Sequence, residues 1–195
     1  MNASRFNRWI QEENPAILVM GILNVTPDSF SDGGMYYDPT RAVEFALKME
    51  EEGADIIDVG GESTRPGAKR IELQEECDRS LPVIEGIRTR SDILISIDTY
   101  KSEVAQRSIS MGAGMVNDIS GMTFDPNMVE VIKESGSPVV IMHIKGTPIN
   151  MQKNPYYQNL MQELTEYFLE RIKFARVKGV LDQQIILDPG IGFGK

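Results

Sequence analysis

The chain has 195 residues and carries 29 Asp and Glu against 20 Lys and Arg, a formal net charge of −9. That length suits one domain with one sizeable core, and the acidic balance speaks against a nucleic-acid partner, which would require a basic stripe. The single Cys77 leaves no intramolecular disulfide and fits a reducing compartment. With no signal-peptide pattern and no run near the roughly 18 apolar residues of a membrane span, the expected setting is the cytoplasm, away from membranes.

Residues Met1 to Asn14 are polar, with Phe6, Trp9 and Ile10 spaced for a short amphipathic helix that would cap the bottom of the core. An apolar run from Ile17 to Leu23 follows and ends at Asn24. A strand apolar on both faces is expected to be buried on both, as in a parallel sheet covered by helices. The loop after it, Thr26 to Gly34, is rich in Gly, Ser, Asp and Pro, a composition suited to a mobile lid. Asp38-Pro39-Thr40 opens a helix, with Asp as N-cap and Pro in the first turn. Val43, Ala46, Leu47 and Glu50 share one face of it, and Gly53 stops it.

The same unit recurs. A second strand, Ile56 to Gly61, runs into Glu62-Ser63-Thr64-Arg65-Pro66-Gly67. A helical segment from about Glu72 to Arg90 carries Leu73, Cys77, Leu81 and Ile84 at helical spacing. Pro82 within it predicts a kink or break, and Cys77, in an acidic helical stretch with no partner, is read as having no catalytic role. The third strand, Ile93 to Ile97, ends at Asp98, and a short helix from Lys101 to Met111 stops at Gly112. The fourth, Met115-Val116, ends at Asn117, and Asp125-Pro126 starts a helix closed by Gly136. The fifth, Val139 to Met142, ends near His143. A loop around Gly146 to Tyr156 leads to the longest helix, about Gln158 to Lys178, with Leu160, Leu164, Phe168, Ile172 and Ala175 on one face. The sixth strand, Ile185 to Leu187, ends at Asp188, and the chain stops at Lys195.

Six strand–helix alternations without a linker imply parallel strands joined by right-handed crossovers. An open doubly wound sheet concentrates its ligand chemistry at one switch point. Here every strand end carries a polar residue, which favours a closed barrel whose loops converge on one face. The expected fold is therefore an α/β (β/α)8 TIM barrel with six of its eight strands in this chain. Residues 1–195 would form a single domain, C-terminally incomplete, with 1–14 as its cap.

Asn24, Asp98, Asn117 and Asp188 would meet at the barrel mouth. Two carboxylates and two carboxamides suit a heterocycle bearing several N–H groups, because one carboxylate accepts two parallel N–H bonds. Arg65, in the Thr64-Arg65-Pro66-Gly67 loop, suits an anionic group. Gly190-Ile191-Gly192-Phe193-Gly194-Lys195 fails the spacing of a phosphate loop, so its glycines are read as tight turns or close approach to a ligand. His143, the one histidine, reads as a hydrogen-bonded pocket-wall residue. One His and one Cys exclude a soft-metal site. Mg²⁺ remains open through Asn24 and a substrate phosphate, since Mg²⁺ takes few protein ligands. No nucleophile-elbow sequence is present for Ser-His-Asp hydrolysis.

Met20-Gly21-Ile22-Leu23-Asn24-Val25-Thr26-Pro27-Asp28-Ser29-Phe30-Ser31-Asp32-Gly33-Gly34 resembles the first signature of dihydropteroate synthases, and Gly53 to Gly67 resembles the second. Ser96 to Thr99, Asn117 to Gly121, Met142 to Pro148 and Asp188 to Lys195 match later segments in the right order. The resemblance implies condensation of 6-hydroxymethyl-7,8-dihydropterin pyrophosphate with p-aminobenzoate to 7,8-dihydropteroate and pyrophosphate, in folate synthesis. It implies that Asp98, Asn117 and Asp188 hold the pterin and that Asn24 helps bind Mg²⁺ and pyrophosphate. Thr64, Arg65 and Pro66, with Phe30 and Phe193, would form the p-aminobenzoate side. Asp98 and Asn24 are the expected catalytic residues, and the full-length protein is expected to be a homodimer. The family's Lys in a Ser-Arg-Lys segment at the seventh strand, and its Arg and His at the end of the eighth, have no counterpart in this sequence. Little turnover is therefore expected of this chain alone. Two other readings share the barrel: a methyltetrahydrofolate-using corrinoid methyltransferase, against which the Thr26–Gly34 loop speaks, and a non-catalytic pterin-binding paralogue.

Overall fold

The computed structural model describes residues 1–26, 38–65 and 67–195. The lid expectation for Thr26 to Gly34, and the places of Phe30 and Pro66, lie outside these apart from Thr26. After a short helix α1 (Ala3–Trp9) come β1 (Met20–Asn24), α2 (Pro39–Glu51), β2 (Ile56–Gly60), α3 (Leu73–Arg88), β3 (Leu94–Asp98) and α4 (Ser102–Ser110). The chain continues through β4 (Met115–Asp118), α5 (Met128–Ser135), β5 (Val139–Met142), α6 (Leu160–Lys178) and β6 (Ile185–Asp188). The six strands are all parallel and lie side by side in chain order. Among the described residues the order does not reverse, so they form no switch point. Right-handed crossovers that always advance the same way place every connecting helix on one face, the arrangement of a TIM barrel and not of a doubly wound sheet.

Strand alternation divides the side chains into two sets. Leu23, Ile57, Val59, Ile95, Ile97, Val116, Val139 and Ile141 face the helices and pack with Ala42, Val43, Ile84, Ile87, Val104 and Ile132. Ile56, Leu94, Met115 and Val140 face the lumen and close its lower end with Phe6. Phe6 comes from α1, whose N-cap Asn2 accepts a bond from Arg5 N at 3.0 Å. The N-terminal segment thus covers the bottom of the lumen and leaves the other end, where the strands finish, for the site.

Three expectations change. β1 begins at Met20, not Ile17, and is not buried on both faces: Ile17 is 93% exposed, Val19 56% and Ile22 56%. Among the described residues β1 pairs with β2 alone, and Ile22 on its lumen side is exposed. Pro82 neither breaks nor ends α3. It lies on the solvent side, where water can satisfy the carbonyl that loses its partner. α6 starts at Leu160, where Asn159 Oδ1 accepts from Gln162 N at 3.2 Å, so Leu160 itself stays exposed.

Candidate active site

The strand registers bring the polar residues together. Asn24, Gly60, Asp98 and Asn117 are successive partners across β1, β2, β3 and β4. Residues opposite one another share a face, and this one is the lumen face, since Asn117 pairs onward with Val140. Gly60 contributes no side chain to the row. A Cβ built there would stand 3.4 Å from Asp98 Oδ2 and 3.6 Å from Asn24 Oδ1, so the glycine leaves a notch flanked by two oxygens. Asp188 ends β6 opposite Met142, two residues beyond the lumen-facing Val140, and so faces the lumen as well. Its Oδ1 accepts from Gly190 N at 2.7 Å, which fixes the carboxylate at the rim.

That turn is tightly packed. Gly190 has φ +64°, and a Cβ there would lie 2.2 Å from His143 O. Lys195 Nζ donates to His143 O at 3.0 Å and to Gly190 O at 2.9 Å, tying the turn to the end of β5. Gly190→Ala is expected to destabilise the fold by about 1–3 kcal/mol through overpacking and backbone strain. Urea unfolding checks this, and an unchanged midpoint would show that the turn is not held as described.

The site is electrostatically acidic. Burial pushes Asp98 well above the usual carboxylate range, and the nearby charges of Asp58, Glu76, Asp118 and Glu62 push it further. Beside Asn117 on β4, Asp118 points the other way. Its carboxylate accepts from Ser120 N at 2.8 Å, Ser120 Oγ at 2.7 Å and Met122 N at 2.9 Å, shaping the following turn. Burial outweighs those bonds and raises it to about 6. Arg171 of α6 braces the same turn, with Nε donating to Gly121 O at 2.8 Å.

The second loop is held from behind. Glu62 Oε1 accepts from Tyr100 Oη at 2.7 Å; its Oε2 accepts from Lys101 Nζ at 2.6 Å and from Ile71 N at 3.1 Å. One carboxylate therefore ties the two ends of the 62–71 loop. Lys101 Nζ also pairs with Glu76. Within the loop Thr64 is half-buried and Arg65 exposed, and Gly67 N donates to Pro148 O at 2.9 Å. Phe193 packs with Phe124 and Ile144 on Tyr100, Ile119 and Met142, an apolar wall on one side of the mouth.

His143 corrects its expected role. It continues β5 on the helix-facing side, two residues after Ile141, and its ring lies edge-on to Tyr167 at 4.8 Å. Its Nδ1 is buried without a partner among the described residues. Burial lowers its pKa, aided by the charge of Lys195. It is a packing residue behind the strand, not a hydrogen-bonded wall of the lumen.

The pattern of polar strand ends did not reach Asp58, Glu62, Tyr100 or Lys101. Asp58 sits inside an apolar strand, two residues before Gly60, and period-two alternation places it on the same face as Asp98. The others follow strand ends by two or three residues, where sequence alone shows a loop.

A parallel βα barrel with oxygen ligands converging where its strands end is an enzyme-type site, of the kind built to hold a small polar molecule. The profile of the pterin binding enzyme family matches residues 20–195, and the chain belongs to that family. It is 50% identical over 177 residues to the dihydropteroate synthase of Synechocystis sp., covering 91% of this chain and 61% of that protein. The Yersinia pestis dihydropteroate synthase, solved in complex with a sulfonamide drug, superimposes with a TM-score of 0.85 at 46% identity, over 91% of this chain and 64% of that one. The Xanthomonas albilineans dihydropteroate synthase, solved with 4-aminobenzoic acid, gives 0.84 at 42%, over 91% and 63%. The chain spans about three fifths of the length of the curated relatives it matches. No helix among the described residues is long and apolar enough to cross a membrane.

Proposed function

We propose that the whole protein is a dihydropteroate synthase, joining 6-hydroxymethyl-7,8-dihydropterin pyrophosphate to p-aminobenzoate, and that this chain carries its pterin side. The observation that carries the reading is the lumen-facing row of Asn24, Asp98 and Asn117, with Asp188 at the rim, in a chain of the pterin binding enzyme family. Asp98, Asn117 and Asp188 accept the pterin's N–H groups. Thr64, Arg65 and Pro66, with Phe30 and Phe193, serve p-aminobenzoate, with Arg65 available to its carboxylate. The protein works as a homodimer in the cytoplasm.

Hard oxygens of Asn24 and Asp98 flank the notch over Gly60, the donor type that Mg²⁺ takes, and Asn24 would hold the ion. Among the described residues no group of three His, Cys, Asp or Glu is placed to hold a metal. When bound there it would neutralise the departing pyrophosphate.

In the reaction the exocyclic C–O bond breaks and its electron pair leaves with pyrophosphate. The amine nitrogen of p-aminobenzoate then bonds to that carbon and releases a proton to solvent. We place bond breaking ahead of attack. The aniline nitrogen is a weak nucleophile, and His143 stands behind the strand, out of reach as a base. Asp98 stabilises the positive charge that develops on the dihydropterin. A large normal secondary deuterium isotope effect at the exocyclic carbon is expected, and a value near unity would mean direct displacement.

The test of the function is formation of dihydropteroate by the full-length protein from the two substrates. Pterin binding without coupling would instead make it a non-catalytic binder. Asp188→Ala is expected to weaken pterin binding by about 1.5–3 kcal/mol, the range for a lost charge-assisted hydrogen bond. Calorimetry with pterin alone checks this, and unchanged affinity in a folded variant would remove Asp188 from the site.

A further inference from the structure

Asp58 is only 2% exposed and faces the lumen from β2, one level below Gly60, with Ser96 of β3 as its register partner. Its Oδ2 accepts a bond from Asn117 Nδ2 at 2.9 Å. Asn117 belongs to β4, so this bond spans three adjacent strands and passes over β3. The small side chain of Ser96 leaves room for it. Burial raises the pKa of Asp58, and Ser96 and Asn117 beside it partly offset that, though Ser96 closes no bond of good geometry. Three buried atoms consequently lack partners among the described residues: Asp58 Oδ1, Ser96 Oγ and Asn117 Oδ1.

We propose that Asp58 is a positioning residue that fixes the side-chain amide of Asn117 with its carbonyl oxygen presented to the pterin. The amide nitrogen of Asn117 donates to Asp58 Oδ2, and an ionised carboxylate only accepts, so the amide oxygen turns away from it. A free carboxamide can rotate by half a turn and present either a donor or an acceptor. Beside Asp58 it presents an acceptor alone, which selects ligand edges rich in N–H. The unpaired Asn117 Oδ1 is the atom so presented. A buried acceptor without a partner is costly and is retained where a ligand completes it. Asp58 does not touch the pterin in this scheme. It acts through Asn117, and the ligand's identity rests on the pterin reading of the site.

The test uses the full-length protein with Asp58→Ala, Asn117→Asp and the exchange Asp58→Asn/Asn117→Asp. In the exchange, the carboxamide at position 58 donates to the carboxylate at 117, whose second oxygen faces the lumen as an acceptor. Asp58→Ala should weaken pterin binding on the order of 10-fold to 100-fold and leave the KM for p-aminobenzoate unchanged. Asn117→Asp sets two carboxylates against each other and should bind pterin more weakly than the exchange, which restores affinity. Full pterin affinity in folded Asp58→Ala would overturn the proposal. Where Asp58→Ala fails to fold, an exchange variant that folds but binds no better than Asn117→Asp overturns it. A measurement that needs no ligand separates this from the function itself. The side-chain amide protons of Asn117 should exchange slowly in the parent and fast in Asp58→Ala. Slow exchange in both overturns the proposal. A parent with protected amide protons but no pterin affinity would instead overturn the pterin reading and leave the positioning role standing.

Discussion

An Asp98→Asn variant of the full-length protein is expected to lose about 10²–10³-fold in turnover, the usual effect of removing one group aimed at transition-state charge. The same variant should gain stability relative to the parent as pH rises. Burial, and then the charges of Asp58, Glu76, Asp118 and Glu62, raise the pKa of Asp98 above its ordinary value of 3.8. Its contribution to stability is thus fully present below the unfolded pKa and is lost as pH rises through the folded one. Above the unfolded pKa, burying Asp98 opposes folding of the ligand-free protein, and Asn, which does not titrate, avoids that cost. Urea unfolding of both proteins at pH 3.5 and pH 7 checks the sign. A stability gap independent of pH would mean that Asp98 is not held in a charge-disfavouring place. The two effects together would identify a residue kept for the charge that it meets in the transition state, at the expense of the empty fold.

Much of this site could be read before the structure, because it follows one rule. Apolar runs ending in Asn24, Asp98, Asn117 and Asp188 predict parallel strands whose ends converge, and the registers bring the first three into one row. What the rule cannot supply is phase and edge. Asp58 and Asp118 both interrupt apolar strands. One turns into the lumen and holds Asn117, while the other turns toward the helices and holds a turn. Only the alternation counted from a residue of known facing separates them. The run Ile17 to Leu23 looks like a strand buried on both faces, yet among the described residues β1 pairs with β2 alone and Ile22 is exposed. Local composition does not say which strand lacks a neighbour. His143 failed for the same reason: its position after a strand suggested the pocket, and its parity put it behind the wall.

The helix-forming residues told a different lesson at Pro82. Proline is a reliable breaker where it removes a buried bond. Here the affected turn faces solvent, and α3 runs on to Arg88. The supporting network of the second loop was invisible for a further reason. Glu62, Glu76 and Lys101 come from the end of β2, from α3 and from the start of α4, and nothing in their spacing predicts that they meet.

Their meeting leads to the second large effect. Lys101→Met is expected to destabilise the protein by about 3–5 kcal/mol at pH 7, because it leaves Glu62 and Glu76 buried without their counter-charge. The side chains of both carboxylates are almost wholly covered, at 9% and 1% exposure. Burial alone would lower the pKa of Lys101, but its bonds to Glu62 and Glu76 more than offset this and the pKa is raised. Its stabilising effect is therefore fully present below its ordinary pKa of 10.5 and is lost as pH rises through the raised value. On the acid side the loss caused by the substitution should shrink. Burial raises the pKa of Glu76 even with Lys101 beside it, and without the lysine Glu76 takes up a proton more readily. Protonation then removes the unpaired charge. The loss should thus be greatest near neutrality and smaller at pH 4, measured by urea unfolding at both. The local consequence should be visible as well. Glu62 Oε2 accepts from both Lys101 Nζ and Ile71 N. A carboxylate freed from the lysine should loosen the far end of the 62–71 loop, and the Ile71 amide should exchange faster in the variant. A destabilisation that stays the same between pH 4 and pH 7 would show that the charges are not what the lysine holds. An unchanged Ile71 amide would show that the network supports the core but not the loop that carries Thr64 and Arg65.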